Sequence, residues 1–267
     1  MAENKIDIIL ATHNNLGTTI RCVETLYAHT PPSAFRLNIF DDSEDLTPDW
    51  LEWYEKQNPS YEINVTHSAE PYKEGNQIIN EGIKSTTSPI LVYMGNSTFV
   101  EPDWLPNPIK FLTEMADIGL LGFKLLNPVG VIEHAGIWFN PDMPHHLNRG
   151  VGEPSHRYSF VDDIGLVGWA LVMFKRQAVA RKGLLEGIYN PFCGCDDLDN
   201  CMVMRQNGWK IAYFGLSVAY HYALSTRGEF TPENDKKHWE NIQTFKNRWH
   251  KGASKDIENV KSPVVAV

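Results

Sequence analysis

The chain has 267 residues, a formal net charge of −9 and 42% hydrophobic residues. That length suits one large α/β domain or two small ones with a substantial core. The acidic balance disfavours a dedicated binder of nucleic acids or anionic membranes. No apolar run is long enough to span a bilayer, and the N-terminus lacks the basic-then-apolar pattern of a secretion signal. We therefore expect a soluble, cytoplasmic protein.

Three of the four cysteines, Cys193, Cys195 and Cys201, are close together in the sequence. This grouping raises the alternative of a zinc site, but the gaps do not match the paired Cys-x-x-Cys units of zinc ribbons. We favour reduced thiols packed as small apolar groups, and the role of the cluster stays open.

The first half of the chain alternates apolar strand-like runs with helical patterns. Strands are predicted at 6–10, 35–40, 63–65 and 89–94. Helices are predicted around 20–27 and 75–84. The alternation predicts an α/β, Rossmann-like fold with a mostly parallel central sheet flanked by helices. Polar clusters follow three of the strands, at 12–14, 41–43 and 95–97, and ligands sit beyond the carboxyl ends of such strands, so these clusters should meet in one crevice.

The second half is less regular. Strands are predicted at 131–139, 165–174, 210–213 and 217–220, and a helix at 197–207. We expect one domain over 1–250, with a first half at 1–105 and a second half at 106–250. The tail at 251–267 should be loosely ordered.

The segments 11–14, 41–43 and 75–82 of the first half carry motifs that resemble those of family-2 glycosyltransferases. Ala11-Thr12-His13-Asn14 is similar to the Thr-Tyr-Asn motif after the first strand, and Asp41-Asp42-Ser43 to the Asp-Asp-Gly-Ser turn. The segment from Gly75 through Asn80-x-Gly82 is similar to the helix motif that ends in Asn-x-Gly. Taken singly, each is explained equally well as a turn or a helix cap.

The motifs of the second half are more specific to one family of proteins. They are Glu133-His134-Ala135-Gly136, Asn148-Arg149-Gly150, Val167-Gly168-Trp169-Ala170-Leu171, Gly194-Cys195-Asp196-Asp197-Leu198-Asp199, Tyr220-His221 with Ser225-x-Arg227-Gly228, and Phe245-x-x-Arg248-Trp249. In this order and spacing they resemble the family-2 glycosyltransferases, inverting enzymes with the GT-A fold, over residues 6 to about 250.

The resemblance implies that residues 1–105 bind the nucleotide and that residues 106–250 form the acceptor-binding, catalytic half. It also implies a role for each matching residue. Asp197 is implied as the general base, with Asp196 beside it in the family's Glu position. The nucleotide and donor would contact Thr12, Asn14, Asp41, Asn80, Asn96, Ser97, Arg227 and Arg248. The acceptor would contact Gly168, Trp169 and His134, and a metal would contact His221 and Ser97. The alternative for the aspartates is that they merely cap a helix.

A carboxylate at Asp197 suits a general base. It is ionised at neutral pH and offers only acceptor oxygens. Its predicted place at a helix start also favours the anionic form.

The residues expected beside the leaving diphosphate depart from the family pattern. The family's Asp-x-Asp motif, which holds Mn²⁺ or Mg²⁺ on the diphosphate, falls on Gly95-Asn96-Ser97, which has no carboxylate. A hydroxyl is a poorer ligand for a hard cation than an anionic oxygen. Three interpretations stay open: a cation held by Ser97, His221 and the ligand's phosphates; cation-independent transfer with Arg227, Arg248 and His221 supplying the charge; or an inactive site.

The function implied is transfer of a sugar from a nucleoside-diphosphate-sugar donor to a hydroxyl acceptor, which could be a glycan or lipid-linked, with inversion. One alternative is a catalytically silent nucleotide-sugar-binding protein. Another is a nucleotidyltransferase on a similar fold, although Thr12-His13-Asn14-Asn15 lacks the expected basic, Gly-rich loop. A nucleic-acid partner is not expected from the acidic charge, and a modified base as acceptor is a remoter alternative.

Overall fold

A computed structural model describes residues 5–139, 144–147, 149–150, 160–161, 163–179, 183–191, 194–222 and 231–249. The strands in these ranges are β1 (Ile6–Thr12), β2 (Phe35–Asp41), β3 (Ile63–His67), β4 (Ile90–Gly95), β5 (Thr98–Val100), β6 (Ile118–Leu126), β7 (Ile132–His134), β8 (Ile137–Phe139), β9 (Pro144–His146), β10 (Phe160–Val161), β11 (Leu171–Lys175) and β12 (Lys210–His221). The α-helices are α1 (Leu16–His29), α2 (Thr47–Gln57), α3 (Gly75–Ser85), α4 (Pro106–Glu114), α5 (Asp196–Gln206) and α6 (Pro232–Trp249). The tail at 251–267 lies outside the described residues.

A ten-stranded sheet runs through both halves of the chain in the order β10-β12-β6-β11-β4-β1-β2-β3, with β5 paired to β12 and β7 to β6. The first four strands in sequence are parallel to one another, as predicted, because a helix separates each from the next along the chain. Strand β11 is antiparallel to both β4 and β6. The predicted α/β class is confirmed, and the sheet becomes mixed where the second half joins the first.

Helices cover both faces of the sheet, and each face has its own apolar core. Helices α3, α5 and α6 pack on one face, and α1, α2 and α4 on the other. Within β1, Ile9 points into the first core while Ile8 and Leu10 point into the second. A strand buried on both faces has a continuous apolar run, which is the pattern that predicted β1.

The four predicted strands of the second half all differ in the structure. The run at 131–139 breaks at Gly136, whose φ of +94° ends β7 and starts β8 in a separate two-stranded sheet. The two runs between 210 and 220 form the single strand β12, with a register shift between Phe214 and Val218. Only the end of the run at 165–174 is regular strand, because the segment before Leu171 is a loop. None of the helices in the described ranges combines the length and apolarity needed to cross a membrane.

Candidate active site

The three polar clusters at the strand ends meet, as the sequence predicts. Thr12 Oγ1 donates to Asp41 Oδ1 at 2.7 Å, and the backbone N–H of Asn14 donates to Ser43 Oγ at 2.7 Å. The side-chain amide of Asn96 donates to the carbonyl of Asn14 at 3.0 Å. The ends of β1, β2 and β4 therefore form one hydrogen-bonded edge.

Asp41 is the buried centre of this edge. Besides Thr12, its carboxylate accepts from Ser43 Oγ at 2.6 Å and from His67 Nδ1 at 3.0 Å. The side-chain oxygen Oδ1 of Asn14 is also an acceptor, because the backbone N–H groups of Glu44 and Asp45 donate to it. These contacts give both residues a structural role at the predicted nucleotide edge.

Asn80 connects α3 to the loop at 183–187. Its side-chain amide donates to the carbonyl of Leu184 at 2.9 Å and to Glu186 Oε1 at 2.6 Å, while its oxygen accepts from the Leu184 N–H at 2.7 Å. The structure thus uses Asn80 to position a loop, and its predicted donor contact stays a prediction.

Asp196 and Asp197, adjacent in sequence, face different neighbours at the start of α5. A methyl group built on Gly75, at the start of α3, would lie 3.7 Å from Asp196 Oδ2 and 3.3 Å from the Tyr93 hydroxyl. A methyl group on Gly168 would lie 3.7 Å from Asp197 Oδ2. Asp196 therefore faces the nucleotide half, and Asp197 faces the predicted acceptor-side loop.

The start of α5 is held in place by two features of the backbone and core. Cys195, the residue before α5, has a φ of +79° and turns the chain sharply into the helix. Asn76 of α3 and Asn200 of α5 exchange side-chain hydrogen bonds at 2.7 and 3.1 Å in the core. Together they bring the two aspartates to the edge of the sheet.

His134, at the end of β7, is buried against the loop that carries Gly168. Its Nε2 accepts from the backbone N–H of Gly168 at 3.2 Å and of Gly136 at 3.3 Å. Burial, with smaller contributions from His146, His221 and Arg149, lowers the pKa of His134 to about 3. The imidazole is therefore neutral near pH 7, with its proton on Nδ1.

Trp169 lies next to Gly168, but its ring packs into the core. Only 6% of the residue is exposed, and its ring stacks on Phe174 at a centroid distance of 5.7 Å. The described structure thus gives Trp169 a packing role in the loop, and its contact with an acceptor stays a prediction.

A cavity of about 490 Å³ adjoins His221 at the end of β12. Its walls include Glu133, Arg149, His221 and Tyr222. His221 Nδ1 lies 3.2 Å from Glu133 Oε1, and the buried Glu133 Oε2 has no hydrogen-bond partner in the described part of the chain. The cavity therefore combines a carboxylate that has a spare oxygen with an imidazole and a guanidinium.

The cavity offers a divalent cation an anionic ligand, which the Gly95-Asn96-Ser97 turn lacks. Neither place has three or more His, Cys, Asp or Glu together, since no such cluster occurs within the described ranges. Glu133 and His221, however, offer one carboxylate and one imidazole side by side. Mg²⁺ sites commonly use one or two carboxylates and complete the shell with substrate phosphates and water.

Arg248 contacts a carboxylate of the protein. Its Nε lies 2.7 Å from Asp199 Oδ1, which also accepts from the Tyr189 hydroxyl at 3.0 Å and from Trp249 Nε1 at 2.6 Å. This cluster ties the start of α5 to the end of α6, and the donor contact predicted for Arg248 stays a prediction. Arg227 lies outside the described residues.

The described cysteines are buried thiols. Cys22, Cys195 and Cys201 are free, and burial raises the pKa of each, to about 12 for Cys22 and Cys201. Cys193 lies outside the described residues. Cys195 and Cys201 therefore act as packing groups in α5 and the turn before it.

Sequence reasoning assigned no role to Glu133 or Arg149. Both residues stand in motifs that carry the family resemblance, and these motifs could have indicated them. Glu133 and His221 are 88 residues apart in sequence, however, and only the pairing of β7 with β6 and of β6 with β12 brings them together.

Comparisons with known proteins agree with the fold. The family model "Glycosyl transferase family 2" matches residues 7–149. The chain is 24% identical over 253 residues to the uncharacterized protein y4gI of Sinorhizobium fredii (strain NBRC 101917 / NGR234). That match covers 91% of this chain but only 27% of the relative.

Solved structures share the fold at low sequence identity. A crystal structure of GalNAc-T7 with UDP, GalNAc and Mn²⁺ has a TM-score of 0.67 at 16% identity, covering 85% of this chain and 45% of that one. The mannosyltransferase PcManGT from Pyrobaculum calidifontis, in complex with GDP-Man and Mn²⁺, has a TM-score of 0.62 at 14% identity, with coverage of 95% and 73%. S. aureus TarS 1–349 has a TM-score of 0.61 at 14% identity, with coverage of 94% and 73%.

These neighbours are GT-A glycosyltransferases, and their sheet flanked by helices is the one described above. The family model covers more than half of the chain, including the strand-end crevice and β7. The chain belongs to glycosyl transferase family 2, with the GT-A fold.

Proposed function

We propose that this glycosyltransferase moves a sugar from a nucleoside-diphosphate-sugar donor to a hydroxyl acceptor with inversion, and that Asp197 is the general base. The observation that carries the proposal is the orientation of Asp197. One carboxylate oxygen accepts from the Leu198 N–H at 2.9 Å, and the other faces Gly168. The facing oxygen can accept a proton from a hydroxyl group in that space.

The reaction is a single in-line displacement at the anomeric carbon. The acceptor oxygen forms the new bond to carbon as its proton passes to Asp197. The old bond from carbon to the diphosphate oxygen breaks at the same time, and its electron pair leaves with the diphosphate. A base correctly placed for this proton contributes roughly 10²–10⁴-fold to the rate.

The departing diphosphate belongs, in this proposal, at the cavity beside His221. Arg149 lines this cavity and carries a fixed positive charge, and the imidazole of His221 adds a ring nitrogen beside it. A guanidinium suits a diphosphate because it can donate two parallel hydrogen bonds to phosphate oxygens. Arg149 thus replaces Arg248 as our candidate for this contact, since Arg248 is bonded to Asp199.

Glu133 and His221 would hold a divalent cation in the same cavity. Such a cation supplies positive charge against the negative charge that develops on the leaving group. The neighbours GalNAc-T7 and PcManGT were solved with Mn²⁺, together with UDP and GDP-Man respectively, which supports testing this cation and these nucleotides first.

The test is the substitution Asp197→Asn. Donors are UDP-, GDP- and dTDP-sugars with Mn²⁺ or EDTA, acceptors are a panel of p-nitrophenyl glycosides, and turnover is read as nucleoside diphosphate released. We expect Asp197→Asn to lose roughly 10²–10⁴-fold in turnover while the donor still raises the melting temperature. The matched control is Asp235→Asn, an exposed first-turn aspartate of α6, which should keep full turnover.

Two outcomes contradict the proposal. Turnover within tenfold of the wild type in Asp197→Asn would show that Asp197 is not the base. No thermal shift and no turnover with any donor would refute sugar transfer and favour a repurposed fold.

A further inference from the structure

Arg21, an exposed residue of α1, contacts one wall of the cavity beside His221. Its Nη1 donates to the Tyr222 hydroxyl at 2.8 Å, although the two residues are 201 positions apart in the sequence. Tyr222 lines the cavity, whereas Arg21 is not among the lining residues. The contact between Arg21 and the cavity therefore runs through Tyr222.

The guanidinium of Arg21 also packs against two aromatic rings. Its central carbon, Cζ, lies 4.6 Å from the centre of the Phe99 ring and 5.3 Å from the centre of the Tyr222 ring. The two rings meet edge to face, with centroids 4.9 Å apart and planes at 86°. Phe99 is only 2% exposed, so it is a fixed base for the other two groups. One hydrogen bond and these ring contacts thus hold the Tyr222 side chain against α1.

Tyr222 stands at the end of β12, directly after His221. Its backbone N–H donates to the carbonyl of Ser97 at 2.9 Å, and His221 is paired with Thr98 of β5. The backbone of this end of β12 is therefore held by β5 and the turn before it, and the Tyr222 side chain by α1. Since His221 and Tyr222 both line the cavity, Arg21 connects α1 to the segment that forms this wall.

An arginine suits this place better than a lysine. The planar guanidinium can lie over an aromatic ring and donate to a hydroxyl at the same time, whereas an ammonium group is a compact, strongly hydrated charge. A hydrogen bond from a charged donor is also roughly twice as strong as a neutral one. The position therefore uses the shape of the arginine side chain as well as its charge.

We infer that Arg21 is a positioning residue for the nucleotide-sugar donor, because it holds Tyr222 and with it the cavity wall where the proposed function places the diphosphate. This inference rests on the proposed function and adds a residue of α1 that does not touch the reacting atoms. A wall that is already ordered costs less to order when the donor binds, so Arg21 should change donor affinity. The chemical step, in which Asp197 acts, should change little.

A positive charge on α1 could also favour the donor simply by attracting its phosphates. Such attraction acts through solvent, is retained when lysine replaces arginine, and weakens as salt is added. Positioning depends instead on the ring and hydroxyl of Tyr222, so it should disappear when Tyr222 is replaced. These differences allow the two explanations to be separated by experiment.

The first experiment compares Arg21→Gln with Lys84→Gln, which removes a positive charge from an exposed position near the end of α3. The donor is the UDP-, GDP- or dTDP-sugar that the wild type turns over, and the matching nucleoside diphosphate is used for thermal shifts. We expect Arg21→Gln to raise the donor KM about five- to tenfold and to reduce the thermal shift. Its kcat should stay within about twofold of the wild type. Lys84→Gln should change none of these values.

Because Arg21 is exposed, its replacement should leave the fold intact. Without ligand, the melting temperature of Arg21→Gln should fall by no more than about 3 °C. A raised donor KM in a protein of nearly unchanged stability is then an effect on binding. An unchanged donor KM in Arg21→Gln would overturn the inference.

A double-mutant cycle with Tyr222→Leu tests whether Arg21 acts through Tyr222. In the Tyr222→Leu background, Arg21→Gln should raise the donor KM by less than about twofold more, because the guanidinium has already lost its hydroxyl and one ring. Arg21→Lys should recover only part of the loss, since lysine stacks less well. Equal losses in both backgrounds, or full recovery in Arg21→Lys, would overturn the inference in favour of charge attraction.

The outcomes separate this inference from the proposed function. If the wild type transfers sugar and Asp197→Asn does not, but Arg21→Gln keeps the wild-type donor KM, only the inference fails. If Asp197→Asn keeps its turnover while Arg21→Gln raises the donor KM through Tyr222, the inference holds and the role of Asp197 fails. If the wild type neither binds nor turns over any donor, both fail.

Discussion

Replacing Asp199 with alanine tests the cluster that holds the start of α5, and with it Asp196 and Asp197, in place. Asp199 is 2% exposed, and a single oxygen accepts from Tyr189, Arg248 and Trp249. Loss of the carboxylate leaves the buried Trp249 N–H unpaired, which costs about 1–3 kcal/mol. Arg248 is 35% exposed on its side chain and can be rehydrated, so its lost ion pair adds about 1 kcal/mol or less.

With the half-buried Tyr189 hydroxyl also losing its partner, we expect Asp199→Ala to lower the free energy of unfolding by about 3 kcal/mol. For a chain of this size that corresponds to a fall of roughly 6–12 °C in melting temperature. Asp199→Asn keeps an acceptor oxygen for the indole and the phenol, so it should lose clearly less.

The assay is urea unfolding followed by tryptophan fluorescence, supported by calorimetry. The matched control is Asp117→Ala, because Asp117 Oδ2 pairs with Lys210 Nζ at 2.7 Å but both side chains are about half exposed. The control should unfold as the wild type does. A loss below 1 kcal/mol in Asp199→Ala, or an equal loss in both variants, would refute the argument that burial makes this cluster stabilising.

Two further predictions follow from the pKa of His134 and from the cavity. Burial lowers the pKa of His134 to about 3 in the folded chain. In the unfolded chain, this imidazole binds a proton near pH 6.5, whereas in the folded chain it stays neutral at that pH. Stability should therefore fall as the pH drops from about 6.5 towards 3, by at most about 1.4 kcal/mol per unit, and His134→Asn should flatten this slope in urea titrations at several pH values. Glu133→Gln should abolish the part of the donor-induced thermal shift that needs Mn²⁺, whereas Glu114→Gln, exposed on α4, should not; an unchanged Mn²⁺ effect in Glu133→Gln would exclude Glu133 as a ligand.

Local sequence patterns predicted the first half of the fold well. The apolar runs of β1, β2 and β4 are buried on both faces, and such strands are recognised from neighbouring residues alone. The polar residues after them had to meet, since the ends of adjacent parallel strands lie at the same edge. The fully buried β6 was nevertheless missed, because a short apolar run does not by itself distinguish strand from helix.

Motif spacing likewise indicated Asp197 and His221, but it could not tell how each candidate is used. Arg248 looks like a free cation in the sequence, yet in the fold it pairs with Asp199 across α5 and α6. His134 has an ordinary pKa in an unfolded chain, and only its burial beneath the Gly168 loop fixes its charge and its tautomer.

The sequence by itself thus determined the strand–helix alternation, the strand-end polar clusters and the identity of the motif residues, because these depend on neighbours a few positions apart. Only the tertiary structure decided the antiparallel insertion of β11, the meeting of Glu133 with His221, and the burial of His134 against the loop that carries Gly168. Those features depend on strand order and burial, which come from contacts between segments far apart in the chain.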